Sequence, residues 1–172
     1  DLDGDGDADV LSASAADDKI AWYENSPPVN VVCVGNTNST GAGASLTASG
    51  SFEVVNNDTT LELTDLPLNQ TVLFVNSRET ILVANPGGSQ GDLCIGSFSL
   101  GRHVNDIRDS GATGTASLTL DLANVPTNLG RTAVLAGETW YWQAWYRDVD
   151  GGGTPTSNLS LIHISEPTRL GA

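Results

Sequence analysis

The chain of 172 residues has no methionine, one lysine, two histidines and two cysteines. Against that single lysine and six arginines stand 21 acidic residues, for a formal net charge of −14. Binding to a phosphate backbone or an anionic lipid surface needs clustered Lys and Arg, so nucleic acid and membrane-surface partners are disfavoured. No apolar run approaches the roughly 18 residues of a spanning helix, and no membrane insertion is expected. Catalytic groups are equally scarce. There is no Gly-x-Ser-x-Gly elbow, and no histidine and carboxylate set is placed like a triad. His103 reads as a surface or satisfied β residue. Asp106 and Asp109 could form a carboxylate pair acting on a glycosidic bond, but their separation in space is not legible in sequence. A non-enzymatic protein is expected.

The two cysteines, Cys33 and Cys94, are too far apart for a CxxC redox or zinc arrangement, and no histidine lies near them in sequence. A structural disulfide closing about 60 residues is the expected use, with two buried free thiols as the alternative. Abundant Gly, Asn, Ser and Thr suit an extracellular β protein. The absence of an initiator Met and of a signal peptide leads us to expect that the natural N-terminus lies upstream.

What is present is organised unevenly. Residues 1–25 hold eight acids and one lysine, and the remaining 147 residues thirteen acids and six arginines, so each part contributes −7. An acidic loop precedes two extended runs, Val10–Ser14 and Ile20–Glu24, which read as a β-hairpin. Pro27 and Pro28 remove two backbone donors, and the linker is placed at 26–30. From Val31 onward, β-type runs alternate with turn residues: Val31–Val34, Ala44–Val55, Thr60–Leu66, Thr71–Val75, Thr80–Ala84, Leu93–Phe98, Thr115–Leu122 and Thr139–Arg147. Alternation is clean at Leu61 and Leu63, and at Leu118, Leu120 and Leu122, as half-buried antiparallel strands require. Eight such runs over 31–159 predict an antiparallel β-sandwich.

The motif Asp1-Leu2-Asp3-Gly4-Asp5-Gly6-Asp7-Ala8-Asp9 places carboxylates at positions 1, 3, 5 and 9 of one loop, with Gly6 free to make the sharp turn. With the Asp7 carbonyl and water these supply the six to eight oxygens that Ca²⁺ takes. Mutual repulsion would disorder the loop without a cation, so metal binding becomes folding energy for the hairpin. An EF-hand is disfavoured because Ser12 stands where its twelfth-position Glu belongs. Residues 1–25, including Asp17-Asp18-Lys19-Ile20-Ala21-Trp22-Tyr23-Glu24-Asn25, resemble one FG-GAP or VCBS repeat of the integrin-α-like β-propeller. That resemblance implies calcium held by Asp1, Asp3, Asp5, Asp7 and Asp9, and a partial propeller-type repeat of calcium loop plus hairpin.

The stretch from about Cys33 to Asn158 resembles a β module near the C-termini of large exported bacterial proteins, chiefly through Cys33, Gly41, Cys94, Gly96 and Trp142 to Asp148. No activity comes with that resemblance. In Trp140-Tyr141-Trp142-Gln143-Ala144-Trp145-Tyr146-Arg147-Asp148, strand parity sends Trp140, Trp142 and Tyr146 to one face and Tyr141, Trp145 and Arg147 to the other. Trp140, Trp142 and Trp145 are candidate ligand-binding residues, since aromatic faces stack on sugar rings; core packing is the competing reading. The Asp148–Gly153 turn is a weaker cation candidate, or simply a hairpin loop. Residues 161–170 resemble the translated read-through of a sequencing adapter, and 160–172 is expected not to be native. The sequence as a whole predicts an all-β, secreted or cell-surface bacterial protein with a structural or adhesion role and a protein or glycan ligand. The alternative is a carbohydrate-binding accessory domain of a larger secreted enzyme.

Overall fold

A computed structural model describes residues 10–14, 16, 18–23, 29–30, 33, 35–51, 54–96, 99–135, 138–149 and 155–165. Fifteen strands are formed among them: β1 (Val10–Ser14), β2 (Lys19–Tyr23), β3 (Val29–Asn30), β4 (Ser45–Ser49), β5 (Thr60–Thr64), β6 (Thr71–Ser77), β7 (Thr80–Val83), β8 (Leu93–Ile95), β9 (Gly101–Arg102), β10 (Arg108–Asp109), β11 (Ala116–Thr119), β12 (Val125–Thr127), β13 (Gly130–Thr132), β14 (Thr139–Val149) and β15 (Pro155–Ser165). The largest sheet has the order β10-β6-β14-β15-β3, with β9 also paired to β6. A second sheet has the order β11-β5-β4, and three hairpins, β1–β2, β7–β8 and β12–β13, stand as sheets of their own. Every pairing is antiparallel.

The main core lies between the two larger sheets. From the large sheet come Val72 and Phe74 of β6 and Trp140, Trp142, Ala144 and Tyr146 of β14; from the three-stranded sheet come Leu46, Leu61, Leu63 and Leu118. Strict alternation explains the choice: Leu61 and Leu63 are fully buried while Glu62 and Thr64 between and beside them are exposed. Each large side chain so buried contributes roughly 1.5–3 kcal/mol. A polar network closes one end of this core. The Asn38 amide donates to the Asp65 carbonyl at 2.7 Å and to the Tyr146 hydroxyl at 3.3 Å, while its oxygen accepts from Thr40 N at 2.8 Å. Burial pushes the Tyr146 phenol up to about 12, so it stays neutral. The buried Asp148 carboxylate accepts from Ser39 N at 3.2 Å and Val149 N at 2.8 Å.

The all-β expectation holds, but the architecture expected within it is corrected. In place of a partial propeller-type repeat followed by a single antiparallel β-sandwich, there are several separate, open antiparallel sheets, none curled toward a propeller, of which the two larger enclose the main core. The β1–β2 hairpin forms in the expected place, from Val10↔Tyr23 to Ser14↔Lys19, yet it joins no other described strand. Val10, Leu11 and Ile20 are 59%, 63% and 76% exposed, whereas a blade strand would pack on its neighbours. The long runs are divided by turn residues. Ala44–Val55 yields only β4, because Gly50 adopts φ +87 and a Cβ there would meet the Asp58 carbonyl. Asp65 and Asn69, at φ 59 and 54, separate β5 from β6.

Two strand pairings involve residues near the expected boundaries. Val29–Asn30, inside the expected linker, pairs with β15 through Ile164 and His163. The strand β15 continues past residue 160 to Ser165, matching β14 from Val149↔Pro155 to Thr139↔Ser165. Backbone groups along β14 need partners whatever side chains supply them, and the extended segment β15 provides them along that edge. Among the described residues no helix is long and apolar enough to cross a membrane.

Candidate ligand-binding face

Strand β14 sits between β6 and β15 and presents two faces of different fate. Trp140, Trp142, Ala144, Tyr146 and Asp148 point inward and are buried; Tyr141, Trp145, Arg147 and Val149 lie on the outer face and retain exposure. Half of that outer face is covered by the β7–β8 hairpin. Its second strand is clamped by Gln143, whose oxygen accepts from Cys94 N at 3.2 Å and whose amide donates to the Asp92 carbonyl at 2.8 Å. Cys94 is bonded to Cys33, with Cα atoms 6.5 Å apart, as expected. Val75, Cys94 and Ile95, with Tyr141 and Leu93 partly buried around them, make a small second core under this cover.

The cover stops at Gln143. Trp145, two residues on and opposite Leu73 of β6, is 41% exposed. A depression of about 160 Å³ lies on one side of its indole, lined by Thr71, Leu73, Ile107 and Arg147. Another of about 240 Å³ lies on the other side, lined by Val75, Leu93, Leu100, Pro86 and Arg102. A flat aromatic face on a rigid central strand, apolar walls and one guanidinium at each side form a surface suited to a ring with both apolar and polar edges. A wider cleft of about 510 Å³ beside β10 and β11 is less suited, since Arg108 there is held by the Ser117 carbonyl at 3.0 Å.

The three tryptophans expected as candidate ligand-binding residues fall on the two faces that strand parity gives them. Trp140 and Trp142 are each 1% exposed, with ring centroids 6.1 Å apart. Trp140 Nε1 donates to Glu138 Oε2 at 3.0 Å, and Arg78 lies 4.6 Å from its ring centroid. Only Trp145 is open to a ligand. Sequence reasoning placed Arg147 on this face by parity but missed Arg102, which arrives through the β6–β9 pairing Val75↔Arg102. No local pattern around residue 102 reports that pairing.

The remaining expected sites divide in the same way. Asp1, Asp3, Asp5, Asp7 and Asp9, the expected calcium ligands, lie outside the described residues, as does Asp150. Asp148 is already engaged by backbone donors. Among the described residues no group of three or more His, Cys, Asp and Glu could hold a metal ion. The Asp109 carboxylate accepts from Gly111 N at 2.7 Å, and Asp106 lies 3.9 Å from both His103 Nδ1 and the Arg108 guanidinium.

His103 is not a surface residue: it is 4% exposed, and its Nε2 finds no hydrogen-bond partner among the described residues. Burial lowers its pKa to about 4, only partly opposed by Asp106. The imidazole is thus neutral in the fold and protonates in the unfolded chain below about 6.5. Between these values the unfolded state binds the extra proton, so stability rises with pH there and falls as pH drops from 7 to 4. The expected loss attributable to His103 is about 3 kcal/mol. Urea unfolding at pH 7 and pH 4, in wild type and His103→Gln, checks it: the variant should lose that much less than wild type, and parallel curves would refute the assignment.

Comparison of the chain with family models, with curated proteins and with solved structures found no match. Neither the FG-GAP or VCBS resemblance of residues 1–25 nor the module resemblance of residues 33–158 is supported. The calcium ligands expected at Asp1 to Asp9 lie outside the described residues, and among the described residues the face around Trp145 is the candidate site.

Proposed function

We propose that this chain is a non-catalytic β module that acts outside the cytoplasm and holds a saccharide against Trp145. The carrying observation is Trp145 itself, 41% exposed on a strand whose other two tryptophans are 1% exposed. An indole left uncovered at the centre of a sheet, between two depressions lined by apolar side chains, stacks well on the C–H face of a sugar ring. Adjacent Gln143 is occupied in clamping β8, so the polar recognition groups of the face are its arginines. The Cys33–Cys94 bond supports an oxidising compartment, where disulfides persist.

The test is a glycan array probed with the whole chain, followed by titration of the best oligosaccharide against intrinsic tryptophan fluorescence. Trp145→Ala should weaken binding at least tenfold, about 1.4 kcal/mol, while changing unfolding free energy by about 1 kcal/mol or less. If no saccharide binds, or if Trp145→Ala binds like wild type, the reading is wrong.

A further inference from the structure

From the arginines around Trp145 we infer that the ligand is an anionic glycan, one carrying uronate carboxylates or sulfates; this rests on the saccharide reading above. Five arginines fall among the described residues. Three are engaged: Arg78 with Glu138 at 3.1 Å, Arg108 with the Ser117 carbonyl at 3.0 Å, and Arg131 with the Asn124 carbonyl at 2.7 Å. Arg102 and Arg147 have no side-chain hydrogen bond or ion pair among the described residues, both are exposed, and each lines one of the two depressions flanking Trp145. Among the described residues no acidic side chain lines either depression, in a chain with three times as many acids as bases.

The net charge of −14 does not oppose this. At physiological ionic strength the screening length is about 8 Å, so distant acids are muted while a guanidinium in contact is not. Arginine offers a planar fork of donors that matches a carboxylate or sulfate in two parallel hydrogen bonds. A ring stacked on the indole would place anionic substituents of successive sugars toward Arg102 on one side and Arg147 on the other.

The experiment compares four probes on the full chain: a galacturonic acid tetramer, its fully methyl-esterified form, dextran sulfate and unmodified dextran. Each charged probe differs from its neutral counterpart only by the anionic groups. Binding of at least one charged probe should exceed its neutral counterpart tenfold or more and weaken with added salt. Arg102→Gln and Arg147→Gln should each remove several-fold of that preference without altering fluorescence-monitored unfolding. Equal affinity for charged and neutral members overturns the inference and leaves Trp145 stacking intact. Failure of all four to bind overturns the inference, while the glycan array decides the saccharide reading separately.

Discussion

Removing the Cys33–Cys94 bond, by reduction or as the Cys33→Ala, Cys94→Ala double variant, is expected to lower unfolding free energy by up to about 4 kcal/mol. The bonded residues are 61 apart in sequence, and the entropy that such a cross-link takes from the unfolded chain grows with the logarithm of the loop. Against a total of roughly 5–15 kcal/mol for a folded domain, that is a large share. A local effect accompanies the global one. Cys94 sits in β8, the strand that Gln143 clamps over the outer face, and Leu93 beside it lines the depression next to Trp145. Loss of the bond should therefore loosen the cover first and change Trp145 emission at denaturant concentrations below the main transition. Urea unfolding with and without reductant, followed by far-UV circular dichroism and by fluorescence, separates the two effects. A loss under about 1 kcal/mol, with both probes superimposed, would mean that the bridge contributes neither.

The parts of this fold that were legible are those set by local periodicity. Leu61, Leu63 and Leu118 follow the two-residue repeat of a half-buried strand, and all three are in the core. The same parity divided the residues of β14 correctly between two faces. Parity cannot say which face is covered, or how far along the strand the cover runs, because both depend on partners remote in sequence. Trp140 and Trp142 are sealed by side chains of β4, β5 and β11, while the outer face is half sealed by β7–β8. Arg102 reaches Trp145 only because β9 adds to β6, an approach that demands glycine at residue 101: a Cβ there would meet Asn76 Oδ1 and the Pro126 carbonyl. The acidic N-terminal motif misled for the opposite reason. A short motif fixes which ligands are near one another in the chain, but a propeller blade is defined by pairing of several strands, and β1 and β2 pair with no other described strand.

Trp142→Ala is expected to cost about 3–5 kcal/mol, the usual range for truncating a fully buried aromatic. Trp142 lies opposite Asn76 on β6 and against Trp140, and neither neighbour could move into the space without abandoning the sheet register. Its contribution is packing, because Nε1 finds no acceptor among the described residues. Trp142→Phe should then cost less than half as much as Trp142→Ala, since it keeps a ring in the cavity and removes an unpaired donor whose burial is itself unfavourable. Trp145→Ala, three residues along the same strand, provides the contrast: about 1 kcal/mol or less in stability, with the larger effect on binding. Parallel urea titrations of the three variants measure all of this at once. Equal losses for Trp142→Ala and Trp145→Ala would place both indoles in load-sharing cores, and the ligand face would have to be sought elsewhere on the molecule.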